Sequence, residues 1–341
     1  MTRLEERTLS ELVRRYDTGR PLECAPLAEG LLNHGYRLAT TRGVFFLKHH
    51  LDGDPEDIAP LLRQHRATAA LAELGLPVAP PLRDLDGRTV VVHRDRCYAL
   101  HPWIEGRHRD GGQLSRAQSR RLGALLGRVH RALELVIRRA PRPRPACRGA
   151  AAPAETDAVI DQLLGRVRAR PRRTGFDELA EHRLLERRTL LHAHAHLRPG
   201  PAEVPAEGWV HGDFHPLNLL YRAEGPVEPV AIVDWDRLDV QPRAEEAVRA
   251  AAIFFLRPDG SLALPKVRAY ARAYRAATGA SPAELAAAVH RVWWERLNDF
   301  WMLRWHYERR DQRADPQFAA AAALVVWWTS QAPAVRDAFC D

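Results

Sequence analysis

One stretch of this chain limits what it can fold into more than any other. It reads Trp209-Val-His-Gly-Asp-Phe-His-Pro-Leu-Asn-Leu-Leu-Tyr221 and is followed by Val230-Ala-Ile-Val-Asp-Trp-Asp236. Leu219 to Tyr221 and Val230 to Val233 are short apolar runs. The residues between them, Arg222-Ala-Glu-Gly-Pro-Val-Glu-Pro229, are polar and rich in turn formers. Two such runs around a Gly/Pro loop predict antiparallel strands. Closing that hairpin brings Asn218, before the first strand, beside Asp234, after the second. An amide oxygen and a carboxylate then share one end of the hairpin, and Asp213 projects from the preceding loop. Hard oxygen donors of this kind suit Mg2+, which keeps several waters and takes only one or two protein carboxylates. Asp213 is left to accept a proton from a hydroxyl.

The order of these residues, an Asp, an Asn five positions on and a further Asp after a hairpin, is that of kinase phosphoryl transfer. His211-Gly212-Asp213 stands where protein kinases have His-Arg-Asp, and Asp234-Trp235-Asp236 stands where they have Asp-Phe-Gly. The pattern resembles the aminoglycoside phosphotransferase and choline kinase-like family, which includes homoserine kinase-type relatives. The resemblance implies an α+β, bilobal protein-kinase-like fold. Its small β-rich nucleotide-binding lobe would span residues 1–101, and a larger, mostly helical catalytic and acceptor-binding lobe would span 102–341. It also implies ATP and Mg2+ as cofactors, Asp213 as catalytic base, and Asn218 and Asp234 as metal ligands.

A kinase needs a lysine on the phosphates, and Arg42-Gly-Val-Phe-Phe-Leu-Lys-His49 offers Lys48 at the end of a β-rich apolar run. Composition sharpens this reading. Of the 51 Lys and Arg residues only Lys48 and Lys266 are lysine, so basic positions in this chain default to arginine. The ammonium is a compact point charge, whereas guanidinium is a broad planar fork. Upstream, Leu27-Ala-Glu-Gly-Leu-Leu-Asn-His-Gly-Tyr36 resembles the family's first hairpin, which would place Gly30 and Asn33 on the phosphate-covering loop. One expected part is missing. The kinase lysine pairs with a glutamate on the next helix, but the helix expected over about Ala59 to Leu74 has no carboxylate in its middle. Gln64, or Glu56 at the helix start, is the candidate substitute. Further on, Leu82 to Val92 predicts strand, Asp-Gly turn, strand. Cys97 to Gly106 resembles the last strand and hinge of the small lobe, and Leu122 to His130 has helical apolar spacing.

Several clusters have bland explanations. His192 and His196 lie one turn apart on a predicted helix but lack a third ligand, so a metal site is not expected there. Arg138 to Pro153 is rich in Pro and Arg, and residues 138–156 are expected to form a mobile basic insert. The resemblance implies a carboxylate bonded to the catalytic loop, for which Glu245 or Glu246 is the counterpart here; carboxylates in a first helical turn also suit the helix dipole. The six tryptophans from Trp293 to Trp328 fall where such enzymes shape an acceptor pocket, and core packing explains most of them as well.

The net charge of +8 raises nucleic-acid binding, but no zinc-ligand spacing or aromatic-basic RNA motif accompanies it, so no nucleic-acid partner is expected. The residues Met1 to Arg7 carry no apolar signal region, and no run of about 18 apolar residues occurs. The expectation is a cytoplasmic chain without a membrane partner. Its leading reading is an ATP- and Mg2+-dependent phosphotransferase acting on a hydroxyl of a small metabolite or natural product. A Ser/Thr kinase of a ribosomally made precursor peptide and a nucleotide-binding pseudokinase are the alternatives. The acceptor's identity and the oligomeric state are open at this level.

Overall fold

The computed structural model describes residues 4–27, 33–137, 149–200, 206–224 and 227–341. Gly30 and most of the Arg/Pro-rich insert lie outside the described residues. In chain order the elements are α1 (Glu6–Val13), β1 (Pro21–Pro26), β2 (His34–Thr40), β3 (Gly43–His50), α2 (Ala59–Glu73), β4 (Val91–Val92), β5 (Cys97–Pro102), α3 (Arg116–Val136), α4 (Pro153–Arg168) and α5 (Gly175–His194). They continue with β6 (Glu207–Val210), β7 (Leu219–Tyr221), β8 (Pro229–Ile232), β9 (Asp239–Pro242), α6 (Arg243–Phe254), α7 (Leu264–Thr278), α8 (Pro282–Asn298), α9 (Trp301–Arg304), α10 (Asp315–Ser330) and α11 (Ala332–Cys340). The chain forms two compact units. The first draws on Met1–Arg109 and Leu217–Leu238, the second on Asp110–Glu134, Arg139–Pro216 and Asp239–Asp341.

The first unit is built on a five-stranded antiparallel sheet of order β1-β2-β3-β5-β4. Side chains alternate across a strand, and β3 uses both faces. Phe45 and Leu47 join the core that Leu9, Leu12 and Val13 of α1 form with Tyr36, Leu38 and Leu100. Leu9, Leu12 and Val13 fall at helical spacing on one side of α1, which fits that helix to this face. The other face carries Phe46, Lys48 and His50. On that side Leu61 of α2 packs with Val90 and Cys97, and Ala99 stands opposite Lys48 in the register. Lys48 lies inside the strand, not at its end, and is 7% exposed.

The hairpin predicted from the sequence is present. β7 and β8 pair antiparallel, with Leu219 opposite Ile232 and Leu220 opposite Ala231. It is tied into the first unit by backbone bonds. Ile232 N donates to Pro77 O at 2.7 Å, and Arg107 and Tyr221 exchange a reciprocal pair at 2.9 Å. Gly106 allows this approach, since a Cβ there would stand 3.0 Å from Tyr221 O.

Two expectations are corrected. The Asp-Gly turn after Leu82 forms, with Asp84 Oδ1 accepting from Asp86 N and Arg88 N, but its flanks share one backbone bond, Asp84 N to Arg88 O at 2.7 Å, and form no strand pair with each other. Only Val91–Val92 becomes strand, and it pairs with β5 across the next turn, where Arg94 and Asp95 both take positive φ. The Asp84 side chain satisfies the turn amides and holds the segment as a loop. The expected insert over 138–156 also ends early. Pro153 opens α4, where a missing N–H costs nothing, and Thr156 is buried.

The second unit is mostly helical. Ile160, Leu163 and Val167 of α4 pack with Leu184 of α5 and with Phe300, Leu303 and Phe318. Trp294 and Trp328 are each 1% exposed and belong to the core. Gly123 of α3 lies against α7 so closely that a Cβ would stand 2.1 Å from Tyr270 O. Strands β6 and β9 form a short antiparallel ladder that leads into α6. No single described helix is long and apolar enough to cross a membrane. α10 and α11 pass that test only together, bent by 90° at their junction.

Buried imidazoles set an acid limit on the first unit. Burial pushes His50 down to about 2, with the Lys48 charge adding to it, and His65 down to about 3, with His101 and Lys48 adding. Both are neutral when folded and titrate near about 6.5 when unfolded. The unfolded chain therefore binds more protons below that pH, and stability is lost as pH falls from there toward the folded values. Each imidazole accounts for at most about 1.4 kcal/mol per pH unit. Melts of the full chain are expected to show Tm falling steadily below about pH 6.5. His65→Asn, which keeps a polar group near Thr89, is expected to make that slope shallower; an equal slope in the variant would assign the protons elsewhere.

Candidate functional site

Lys48 is the centre of a buried charge cluster in the first unit. Its ammonium donates to Asp234 Oδ1 at 2.8 Å and lies 2.7 Å from Asp236 Oδ2. Burial opposes its charge, but Asp236 and Asp234 outweigh burial and hold the pKa above the usual lysine value. Burial raises the Asp236 pKa; the Lys48 charge pulls against this and the Asp234 charge adds to it, so the carboxyl stays above its ordinary range. Around Asp236 the chain closes from three sides. Asn33 Nδ2 donates to Asp236 Oδ2, while Asn33 Oδ1 accepts from Leu51 N at 2.9 Å. Gln64 Nε2 donates to the Asp236 backbone carbonyl at 3.0 Å.

Asn218 and Asp234 fall at one end of the hairpin, as its pairing requires. Val233 N donates to Asn218 O at 2.9 Å, closing the ladder at that end. Asp234 follows at φ 60°, a left-handed conformation that Asp tolerates better than most residues and that recurs at functional sites. Its carboxylate is the more open of the pair, 43% exposed against 23% for Asp236. Asn218 is buried. The donors are hard oxygens, and no cluster of three His, Cys, Asp or Glu side chains forms a closed cage among the described residues. This set fits Mg2+, which relies on water and ligand oxygens for most of its shell.

Asp213 belongs to the second unit, on the loop after β6. Glu246, in the first turn of α6, holds that loop. Its carboxylate accepts from His211 N at 3.2 Å and from Gly212 N, and it lies 2.6 Å from His130 Nε2. Burial alone would raise the Glu246 pKa; the His130 bond, the charges of His130 and His211 and the Gly212 amide outweigh burial and hold it below the usual value. His211 is fully buried, and its Nδ1 accepts from Asp213 N at 3.2 Å. His215 Nε2 lies 3.5 Å from Asp213 Oδ2. Of the two glutamates the sequence offered, Glu246 bonds the loop, while Glu245 pairs with Arg291 at 2.6 Å.

The structure thus brings together Lys48, Asn33 and Asp234, and places Asn218 at the same hairpin end as Asp234. Glu56 is exposed and is not among the described partners of Lys48. His192 Nε2 lies 2.6 Å from Asp157 Oδ2. Sequence reading missed Asp236 as a Lys48 partner and His130 as the support of Glu246. The first had a signal, a second carboxylate two residues after Asp234. The second had one too, a histidine on the apolar face of α3 beside Leu126, Val129 and Leu133.

An antiparallel sheet with its lysine on a central strand, an Asn/Asp hairpin and a helical unit carrying a loop aspartate together define a protein-kinase-like α+β fold. The model of the phosphotransferase enzyme family APH matches residues 23–280, and the chain belongs to that family. Homoserine kinase of Pseudomonas aeruginosa (strain LESB58) is 30% identical over 143 residues, which are 42% of this chain; the match spans 44% of that relative's length. Among solved structures, spectinomycin phosphotransferase APH(9)-Ia in complex with ADP and spectinomycin superimposes with a TM-score of 0.63 at 14% identity, covering 99% of this chain and 98% of the other. Amicoumacin kinase hAmiN in complex with AMP-PNP, Ca2+ and Ami gives a TM-score of 0.62 at 16% identity, covering 98% and 93%. At these identities the structural likeness speaks for the fold.

The Glu246 network makes a direct prediction. Glu246→Gln puts an amide where a carboxylate accepts from two backbone N–H groups and faces His130. The loss is expected to be about 2–4 kcal/mol, as for breaking a buried, hydrogen-bonded charge network. Urea unfolding of the full chain measures it, and a change below about 0.5 kcal/mol would show that the loop does not depend on this carboxylate.

Proposed function

We propose that this protein is an ATP- and Mg2+-dependent phosphotransferase that moves the γ-phosphate to a hydroxyl of a small metabolite or natural product. The observation that carries the reading is the contact between Lys48 and Asp234. It joins the one lysine on the sheet to the hairpin that also holds Asn218. The nucleotide-binding part would be residues 1–101 together with this hairpin, and the remainder of 102–341 would hold the acceptor.

In this reading Lys48 contacts the α- and β-phosphates, while Gly30 and Asn33 flank the loop over them. Asn218 and Asp234 hold Mg2+, which neutralises charge on the β- and γ-phosphates when bound. Asp213 accepts the acceptor's hydroxyl proton as that oxygen bonds to the γ-phosphorus and the bond to the bridging oxygen of ADP breaks. His215, 3.5 Å from the Asp213 carboxylate, orients it. The Glu246 bonds fix the loop beforehand, so that little reorganisation is needed during transfer. Small acceptors are favoured by the company the chain keeps: the relatives named above are kinases of homoserine, spectinomycin and amicoumacin. The pseudokinase alternative rested on the absent helix glutamate, and Asp236 supplies Lys48 with a carboxylate in its place.

The test is ATP consumption with Mg2+ across a panel of hydroxylated metabolites, amino alcohols, antibiotics and Ser/Thr peptides, read by mass spectrometry. A phosphate adduct on a small acceptor is expected. Asp213→Ala should lower turnover by about 10²–10⁴-fold or more while leaving nucleotide binding near the parent value. Asp234→Asn should raise the Mg2+ concentration needed for half-maximal rate. Failure of the parent protein to bind ATP would overturn the reading, and an adduct on peptides alone would transfer it to a peptide kinase.

A further inference from the structure

The helix that should supply a carboxylate to the sheet lysine supplies a glutamine, yet Lys48 is not left without a buried anion. It has two carboxylates within 3 Å, and they are not equivalent. Asp234 is the more exposed and sits at the open end of the hairpin beside Asn218. Asp236 is half as exposed and is gripped on every side the structure describes. Its Oδ2 takes both the Lys48 ammonium and the Asn33 amide, and its carbonyl takes the Gln64 amide. Gln64 is therefore not an idle replacement. It lies on α2 facing the sheet, too neutral to pair with the ammonium, and it anchors the residue that does.

We propose that Asp236 is the positioning residue for Lys48, doing from the segment after β8 what the helix carboxylate does in other kinases, with Gln64 and Asn33 as its clamps. The inference rests on the phosphotransferase reading above and adds to it an assignment of the two aspartates. Asp234 is the partner that Lys48 gives up when phosphate oxygens arrive, and Asp236 is the partner it keeps. An ammonium has three donors on a single atom. One directed at Asp236 holds its place, and the others are available to an anionic ligand. Asn33 extends the arrangement to the chain just before β2, and its other end is fixed by Leu51 N at the far end of β3. Loss of Asp236 would thus loosen three segments at once, around a lysine whose own backbone is held firmly in the sheet.

The experiment compares the parent, Asp236→Asn, Gln64→Glu and the double variant Asp236→Asn/Gln64→Glu. Each is first checked by thermal melt for folding. Affinity for a fluorescent ATP analogue is then measured with and without Mg2+, followed by KM for ATP and kcat with any acceptor found. Asp236→Asn is expected to weaken nucleotide binding by about 10–100-fold, the loss of one charge-assisted contact, in both the presence and the absence of Mg2+. The effect should fall on the KM for ATP, with an unchanged Mg2+ requirement. Returning a carboxylate from the helix side in the double variant should recover most of that loss, a rescue that a purely structural role for Asp236 would not give. Unchanged nucleotide binding in folded Asp236→Asn overturns the proposal. So does a raised Mg2+ requirement with unchanged metal-free binding, which would make Asp236 a metal ligand. A folded double variant that binds no better than the single variant also overturns it. A parent protein that binds no nucleotide overturns the phosphotransferase reading itself and is seen separately, before any variant is compared.

Discussion

Everything in the first unit is arranged around an ammonium taken out of water. A buried lysine is costly unless it is paired and hydrogen-bonded, and Lys48 is 7% exposed in the middle of a sheet. Two carboxylates from the segment after β8 meet that requirement. Because they come from a hairpin some 186 residues away in sequence, the pairing ties that hairpin's position to the lysine. The backbone bonds of Ile232 with Pro77 and of Tyr221 with Arg107 set the hairpin on the same unit. The cluster carries one cation against two anions; burial raises the Asp236 pKa and the Asp234 charge adds to it, and a divalent cation at Asp234 would relieve the imbalance. In the proposed reading that cation would offset the surplus negative charge, which by itself would repel a phosphate.

How much of this was legible in the sequence follows from the range of the interactions involved. The hairpin could be read because its signals are local: two apolar runs, a Gly/Pro loop and polar residues at both ends. Helix α2, expected over about Ala59 to Leu74, forms over Ala59–Glu73, and Lys48 stood out because arginine is the default base here. The family resemblance narrowed the loop-bonding carboxylate to Glu245 or Glu246, but choosing between them needed the direction each side chain takes. Asp236 and His130 each left a local signal, but the partners they take were not legible. Both act through partners far away in sequence: Asp236 through Lys48 and Asn33, His130 through Glu246. Nothing in their local sequence states which strand or helix will lie opposite. The flanks of the Asp-Gly turn were misread for a related reason. Asp84 satisfies the turn amides, and Val91 and Val92 pair with β5 instead.

The second unit has its own version of the same logic. Glu246 is a buried carboxylate whose acceptors are filled by His211 N, Gly212 N and His130. Leaving any of those donors unpaired in a buried site would be expensive, so the loop's shape is over-determined by one side chain. His211 completes the arrangement by accepting from Asp213 N, which fixes the backbone of the very residue proposed as the base. In both units, then, a carboxylate with several donors holds a residue of the proposed site: Asp236 holds Lys48, and Glu246 holds the loop of Asp213. The cost of burial is the source of the precision, because a weakly held group would find other geometries.

The distribution of the two lysines argues the same point from composition. Lys266 donates to Gly111 O at 2.9 Å and Gly112 O at 3.1 Å, a pair of carbonyls converging on one small volume. Lys48 serves two carboxylate oxygens from one atom, beneath Ala99 on the neighbouring strand, where a planar guanidinium with five fixed donors would not fit the same point. Arginine fills exposed bidentate positions, as in the pair of Arg313 with Asp311, and the buried Arg187 meets the carbonyls of Arg296, Leu297 and Asp299 through one Nη1. Meeting several acceptors from one atom is therefore not reserved to lysine in this chain. What sets Lys48 apart is a compact ammonium on a central strand, held by two carboxylates.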